Sequence, residues 1–231
     1  MRDDPSEDAM TTAVRIDFVS DIACPWCIIG LQGLEEALGR VAGDVEADLV
    51  FRPFILNAQI PQGGENMSEH VARKMGMSGE QAAQMRRTIT ERAAAVGFEM
   101  NLSEESRAYN TFDAHRLLYW AGQEGGQHAL KRALFEAHFT RGEPIDATDT
   151  LVAIAEHAGL DGAKARDVLE SGRYADDVLE EEQMWRARGI NSVPSIILNG
   201  RYLVSGGQPA DVFERALRAA AAQTAEAEPS A

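Results

Sequence analysis

The run Val14-Arg15-Ile16-Asp17-Phe18-Val19, followed after four residues by Cys24-Pro25-Trp26-Cys27, decides the fold. The first part is apolar and β-branched and reads as a buried strand. From Pro25 onward, Ile28, Leu31, Leu34, Leu38 and Val41 recur at steps of three or four, the period of a helix with one apolar face. Two cysteines one turn apart therefore sit where a strand hands over to a helix. They are the only cysteines in 231 residues.

A cysteine at a helix start faces unpaired N–H groups and the positive end of the aligned peptide dipoles, and both favour thiolate. Thiols in such positions have pKa values of roughly 3.5 to 7.5, against about 8.5 for a free cysteine. Cys24 lies where that field is strongest, and Cys27 lies a turn further in. Cys24 is thus expected to attack a disulfide as thiolate. Cys27 resolves the mixed disulfide, leaving a redox-active Cys24–Cys27 disulfide, and the reverse sequence oxidises a dithiol. Pro25 pre-sets φ for the first turn and lacks an N–H that would go unpaired there. Trp26 offers a flat apolar surface either to a substrate or to a neighbouring part of the fold. Asp21, three residues before Cys24, would oppose the helix field if its carboxylate faced the thiol.

Two other readings of the pair compete. A zinc site needs two further Cys or His ligands at suitable spacing. No other cysteine exists, and His70, His115, His128, His138 and His157 are scattered with no His-x-x-x-His pair. A structural disulfide would staple only one helical turn. A redox pair beside a βαβ pattern is favoured over both.

The composition is that of a globular chain, 45 % hydrophobic, with no apolar run near the roughly 18 residues that suggest a membrane span. The acidic start, Met1 to Asp8, lacks the basic and apolar regions of a secretory signal, so a soluble, cytoplasmic protein is expected. In a reducing cytosol a close cysteine pair is catalytic or metal-binding more often than structural. The formal net charge of -15 argues against a nucleic-acid partner. Asp176, Asp177, Glu180, Glu181 and Glu182 read as a solvated helix face.

Along the chain, residues 1–12 read as a disordered tail. A strand over 14–19 precedes a helix from 25 to about 39, stopped by Gly39 and Gly43. Val45 to Phe54 alternates as a strand, with Pro53 near its end. Helix signals then follow in series, with no β pattern of any length. Ser78 to Gln81 is a capping box. Asn110 caps a helix containing Phe112, Leu117 and Leu118, and Leu130 to Ala137 mark another. Asp146 or Thr148 opens the next, and Asp161 the one after, ending at Gly172. The last runs from about Tyr174 to Ala187. The β signal returns at Ser195–Leu198, with Asn199-Gly200 as a type I′ turn and Arg201 to Ser205 as the answering strand. Pro209 opens a final helix, and the end of the chain frays.

Without its middle, the chain runs β-α-β and then α-β-β-α, the order of the thioredoxin fold. The expected architecture is α/β: a thioredoxin-like domain over 13–60 and 174–222, an all-helical domain inserted after the second strand over 61–173, and a frayed tail over 223–231. In this fold the proline before the third strand is cis and faces the cysteine pair. Val193–Pro194 is therefore expected to be cis, close to Cys24, with backbone open to substrate.

These features resemble the DsbA-like thiol oxidoreductases, and most closely their cytosolic FrnE-like branch. The resemblance is carried by Asp17-Phe18-Val19-Ser20-Asp21 before Cys24-Pro25-Trp26-Cys27, and by Gly30. It extends to Asn110-Thr111 with Ala114-His115-Arg116, Gly189-Ile190 through Val193-Pro194, and Val204-Ser205-Gly206-Gly207-Gln208-Pro209. It covers about residues 14 to 218. It implies dithiol–disulfide exchange without a metal or bound cofactor, on protein or small-molecule thiols and disulfides. Glutathione-dependent relatives, the 2-hydroxychromene-2-carboxylate isomerases and kappa-class glutathione transferases, typically carry Ser at the first cysteine position. Cys24 and Cys27 favour redox chemistry over that alternative, with glutathione left open as a co-substrate. A second alternative is a redox-linked chaperone-like binding module. His115 reads either as a proton acceptor or substrate contact near the pair, or as a buried, hydrogen-bonded histidine where the insert meets the core. Arg116 stands beside it, and Asn57 is a candidate contact to peptide or glutathione. A homodimer is the base-rate expectation.

Overall fold

The structure, a computed structural model, describes residues 11–227. Strand β1 (Thr12–Ser20) sits inside a four-stranded sheet. It pairs in parallel with β2 (Val45–Pro53) and antiparallel with the late strand Ser195–Leu198, which pairs in turn with Tyr202–Ser205. With the two short strands of the insert described below, these last two are β5 and β6, and the sheet order is β2-β1-β5-β6. The run that opened the sequence is covered on both faces, which is why it reads as nearly continuous apolar residues. Val14, Ile16 and Phe18 share one core with Ile196, Leu198 and helix α1 (Pro25–Val41). Val19 and Ile197 pack on the opposite side with Phe54, Trp185 and Ile190. The β5–β6 turn has φ of 50° at Asn199 and 66° at Gly200, and Arg201 N–H donates to Leu198 O at 3.0 Å, the type I′ geometry.

Between β2 and the helix Ala175–Ala187 lies the insert: α2 (Met67–Met75), α3 (Gly79–Ala95), α4 (Phe112–Gln123), α5 (Gln127–Phe135), α6 (Thr148–His157) and α7 (Gly162–Ser171). The helix after it is α8, and the closing helix Ala210–Ala227 is α9. A π-turn, Glu136–Thr140, continues α5. Ser78 and Gln81 form the full capping box on α3. The insert has no core of its own: Ile89, Trp120, Leu134 and Phe139 join the cluster that holds Cys24, Cys27 and Phe18. The architecture is thus a thioredoxin fold with a helical insertion fused to its sheet.

Several local expectations are corrected. The insert is not wholly helical, because β3 (Glu65–Asn66) and β4 (Arg107–Ala108) pair antiparallel. Helix α1 passes through Gly39 to Val41, since burial of Ala37 and Val41 and the Arg40 pairs to Glu36, Asp211 and Glu214 outweigh a glycine cost of about 1 kcal/mol. Thr111, not Asn110, is the N-cap of α4, although the Asn110 side-chain Oδ1 still accepts from Phe112 N–H at 2.9 Å. Of the two expected starts of α6, the helix begins at Thr148 with Ala147 at the cap position, and the Asp146 carboxylate accepts from Gly63 N–H instead. Two of the five clustered acids are not solvated. Glu182 is buried and accepts from Ile55 N–H at 2.8 Å, while Glu181 pairs with Arg52 at 2.7 Å.

Of the expected N-terminal tail, residues 1–10 lie outside the described residues. Thr12 already belongs to β1, opposite Val45, because its N–H donates to Asp44 O at 3.0 Å. Residues 228–231 of the expected C-terminal tail also lie outside. Residues 223–227 continue α9, where Thr224 Oγ1 accepts from Asn199 Nδ2 at 3.0 Å. No helix among the described residues is long and apolar enough to cross a membrane.

α1 and α9 pack side by side on the sheet, and Gly33 permits the approach of the loop that leads into α9. A Cβ at Gly33 would lie 2.6 Å from the Gln208 carbonyl oxygen, a backbone atom with little room to yield. Gly33→Ala is expected to cost about 1–3 kcal/mol. An unchanged urea midpoint for this variant would show that the loop moves freely off α1.

Candidate active site

Four residues separate the end of β1 from α1. Within them Cys24 N–H donates to Asp21 O at 3.2 Å, a tight turn that delivers Cys24 to the N-cap position of α1. Its φ of -94° and ψ of 111° are extended, and Pro25 supplies the first helical residue. The helix start has no side-chain cap and no acid in its first turn, so the Cys24 sulfur meets the N-terminal field uncontested. The Asp21 carboxylate is engaged elsewhere. One oxygen accepts from Leu56 N–H at 2.7 Å, the other accepts from Ala23 N–H at 3.2 Å and lies 3.5 Å from His115 Nε2.

Both cysteines are free thiols. Cys24 is 5 % exposed and Cys27 0 %, whereas Trp26 between them is 37 % exposed. Trp26 is therefore partly open to solvent beside the pair. Val193 closes the other side of the pair: its carbonyl oxygen lies 3.7 Å from Cys24 Sγ, which donates to it. The Val193–Pro194 peptide bond is cis. Pro194 is held by Gly206 N–H, which donates to its carbonyl at 2.8 Å. Two glycines allow this seating. A Cβ at Gly30 would meet Pro194 Cγ at 3.1 Å, and one at Gly207 would meet Trp26 O at 2.9 Å.

Behind the pair lies a buried polar layer. Burial pushes the Cys27 thiol well above its ordinary range, and the neighbouring Cys24 adds to the rise. At Asp21, burial would favour the neutral acid, but His115 and the hydrogen bonds from Leu56 and Thr111 outweigh it and hold the carboxyl below its usual value. Burial keeps His115 neutral below its ordinary pKa, against the pull of Asp21. His115 thus lies beside Asp21, with Nε2 3.5 Å from the carboxylate, where the insert meets the core. Arg116 is also structural: its guanidinium donates to Arg173 O at 2.8 Å and to the α7 carbonyls of Val168 and Leu169, and pairs with Asp113. The Asn57 side-chain Oδ1 accepts from Lys74 Nζ at 2.6 Å and lies 3.0 Å from His70 Nε2.

Two members of this layer escape a reading of the sequence. Lys131 is fully buried, and burial lowers its pKa to about 8. His138, on the π-turn, is 5 % exposed, and burial lowers its pKa to about 4. The available signal for Lys131 is its helical spacing with Leu134 and Phe135, which places a lysine on the core stripe of α5. Among the described residues no three His, Cys, Asp or Glu side chains are grouped to hold a metal ion.

The arrangement matches known proteins along nearly its whole length. The DSBA-like thioredoxin domain model matches residues 15–218. The crystal structure of a probable DsbA oxidoreductase, SCO1869 from Streptomyces coelicolor, superposes with a TM-score of 0.85 at 33 % identity, covering 94 % of this chain and 92 % of that one. A 2-hydroxychromene-2-carboxylate isomerase shares the fold at TM-score 0.65 and 18 % identity, over 93 % and 100 % of the two chains. So does the cytosolic disulfide reductase DsbM from Pseudomonas aeruginosa, with GSH, at TM-score 0.61 and 16 % identity, over 89 % and 98 %. With the family model spanning the sheet, the insert and the cysteine-bearing turn alike, this chain belongs to the DsbA-like thioredoxin domain family.

Proposed function

We propose that the chain is a cytoplasmic thiol–disulfide oxidoreductase of the FrnE-like branch, with the Cys24–Cys27 pair as its redox group and no bound cofactor. The observation that carries this reading is the sulfur of Cys24 at an uncapped helix start, backed by a buried thiol one turn away. Cys24 attacks one sulfur of a substrate disulfide and the other leaves with the electron pair as a thiol. Cys27 then attacks Cys24, the substrate's second sulfur leaves, and two electrons have passed from the pair to the substrate. Pro25 fixes the helix start, Trp26 offers an apolar face to the substrate, and Val193 with Pro194 forms the backbone edge that the substrate lies along. A cytosolic setting is supported by the description of DsbM.

The isomerase neighbour and the GSH attached to DsbM favour a second reading, in which glutathione is bound and activated at Cys24. Cys27→Ser separates the two. Under the first reading, turnover of a model protein disulfide falls by at least about 100-fold, and a mixed disulfide at Cys24 accumulates, because the resolving sulfur is gone. Full retention of a glutathione-dependent conjugation or isomerisation, with no disulfide turnover in the wild type, would select the second.

A further inference from the structure

Gly30 on α1 and Gly207, on the loop between β6 and α9, are not required by backbone conformation. Neither has the positive φ of Gly206, which is 82°. What each position lacks is room for a side chain. A Cβ at Gly30 would lie 3.2 Å from Gly207 Cα as well as against Pro194, and a Cβ at Gly207 would lie 3.3 Å from Gly30 N as well as against Trp26 O. The two glycines therefore face each other. Trp26 and Gly30 are four residues apart on α1, so Gly207 rests on the backbone of the turns that follow Cys24. The loop is also fastened to the substrate-facing edge: Gly206 N–H donates to Pro194 O at 2.8 Å, and Ser205 pairs with Ser195. At the front of that edge the Val193 carbonyl oxygen lies 3.7 Å from Cys24 Sγ. Two backbone segments thus converge on one sulfur, and the Gly30–Gly207 contact is where they are pressed together. Cys24 is 5 % exposed, so a disulfide that reaches its sulfur has little freedom of approach.

We propose that Gly30 and Gly207 are positioning residues for the exchange: with no side chain between them, they set the gap between the Val193 backbone and the Cys24 sulfur. This rests on the oxidoreductase reading above and assigns the residues that fix its attack geometry. The bonds made and broken are those described there, and neither glycine touches a reacting atom. They decide where a segment lying along Val193 presents its sulfur to Cys24. Reacting atoms must meet within a narrow range of distance and angle, so a small displacement of the edge costs rate. A small disulfide without a peptide backbone does not use the edge, and its reaction is insensitive to the gap.

The test is the second-order rate constant for oxidation of the reduced pair by two probes, a disulfide-linked dimer of an unstructured peptide and hydroxyethyl disulfide. The proteins compared are wild type, Gly207→Ala, Gly30→Ala and, as a control, Gly39→Ala, whose added methyl on the same helix meets nothing within 4 Å. A displacement of a few tenths of an ångström lowers the peptide rate about tenfold in the first two variants and leaves the hydroxyethyl disulfide rate within about twofold. The control keeps both rates. A merely structural role leaves the ratio of the two rates unmoved. An equal fall with both probes, or no fall with either, therefore overturns this inference and leaves the oxidoreductase reading in place, as does a wild type that accepts only the small disulfide. A wild type oxidised by neither probe overturns that reading as well. If Gly207→Ala fails to fold, Gly30→Ala decides, because its contacts are the looser ones and alanine is the better residue inside a helix.

Discussion

Replacing Cys24 with serine is expected to lower the rate of disulfide exchange by at least about 10³-fold, the order of loss that follows removal of a nucleophile, while leaving the fold intact. The reason lies in what each atom at that position can do. A sulfur nucleophile exchanges readily with a disulfide, whereas a serine hydroxyl stays protonated near neutral pH and is a poor attacking group for sulfur. Cys27 cannot take over. It is fully buried, and its thiol is pushed well above the ordinary range by that burial. Stability should hardly change, because serine is among the preferred N-cap residues and α1 has no side-chain cap of its own. The measurement pairs turnover of a protein disulfide with a thermal melt. Retention of more than a tenth of the wild-type rate by Cys24→Ser would mean that the attacking sulfur is not Cys24. The two serine variants should also differ in kind. Cys27→Ser still completes the first attack and stalls as a mixed disulfide, whereas Cys24→Ser forms none.

What could be read from the residues alone, and what could not, divides along physical lines. Local signals survived wherever the chain's immediate neighbours decide the outcome. The Ser78–Gln81 box, the Asp161 cap, the Asn199-Gly200 turn and the strand-to-helix step at Cys24 depend on a few adjacent groups, and the structure contains each of them. Helix ends set by tertiary contact went astray. Gly39 looks like a stop until Arg40 is seen reaching Asp211 and Glu214 on α9, 171 and 174 residues away. The five acids near 180 look uniform, yet the ends of the β2 neighbourhood single out two of them: Arg52 claims Glu181 and the Ile55 N–H claims Glu182. Long-range assembly likewise hid the layer behind the cysteines. Asp21, His115, Lys131 and His138 come from β1's end, α4, α5 and the π-turn, and no spacing rule links them. Of these, the sequence reading weighed Asp21 and His115 and counted His138 only among possible zinc ligands. His115 proves to lie 3.5 Å from Asp21.

His138 provides the second large effect, on stability in acid. Its ring sits on the π-turn, where Arg141 N–H donates to Glu136 O at 3.0 Å, one residue beyond the helical spacing. The ring lies 4.4 Å from Phe139 and 5.9 Å from Tyr109, and neither ring nitrogen has a partner. Protonating it would bury a second positive charge in the layer that already holds Lys131. Its folded-state pKa is accordingly about 4, against 6.5 for the ordinary imidazole. The unfolded chain therefore binds a proton below pH 6.5 that the folded chain refuses until about pH 4. Stability is full above 6.5 and falls as the pH drops through that window. The 2.5-unit gap between those two values corresponds to about 3 kcal/mol. His115, also lowered by burial, acts in the same direction, and Asp21 does not oppose it, because a depressed carboxyl gives up stability only as the pH falls below its unfolded value of 3.8. His138→Phe keeps the aromatic packing and removes the titration. In urea unfolding at pH 7 and pH 4.5, the wild type should lose about 2–3 kcal/mol more between the two conditions than the variant does. Identical losses would mean that the imidazole is protonated or solvated in the folded state. The same variant bears on the redox pair. A neutral ring places no charge near the thiols, so His138→Phe should leave the glutathione equilibrium near neutral pH within about twofold of wild type.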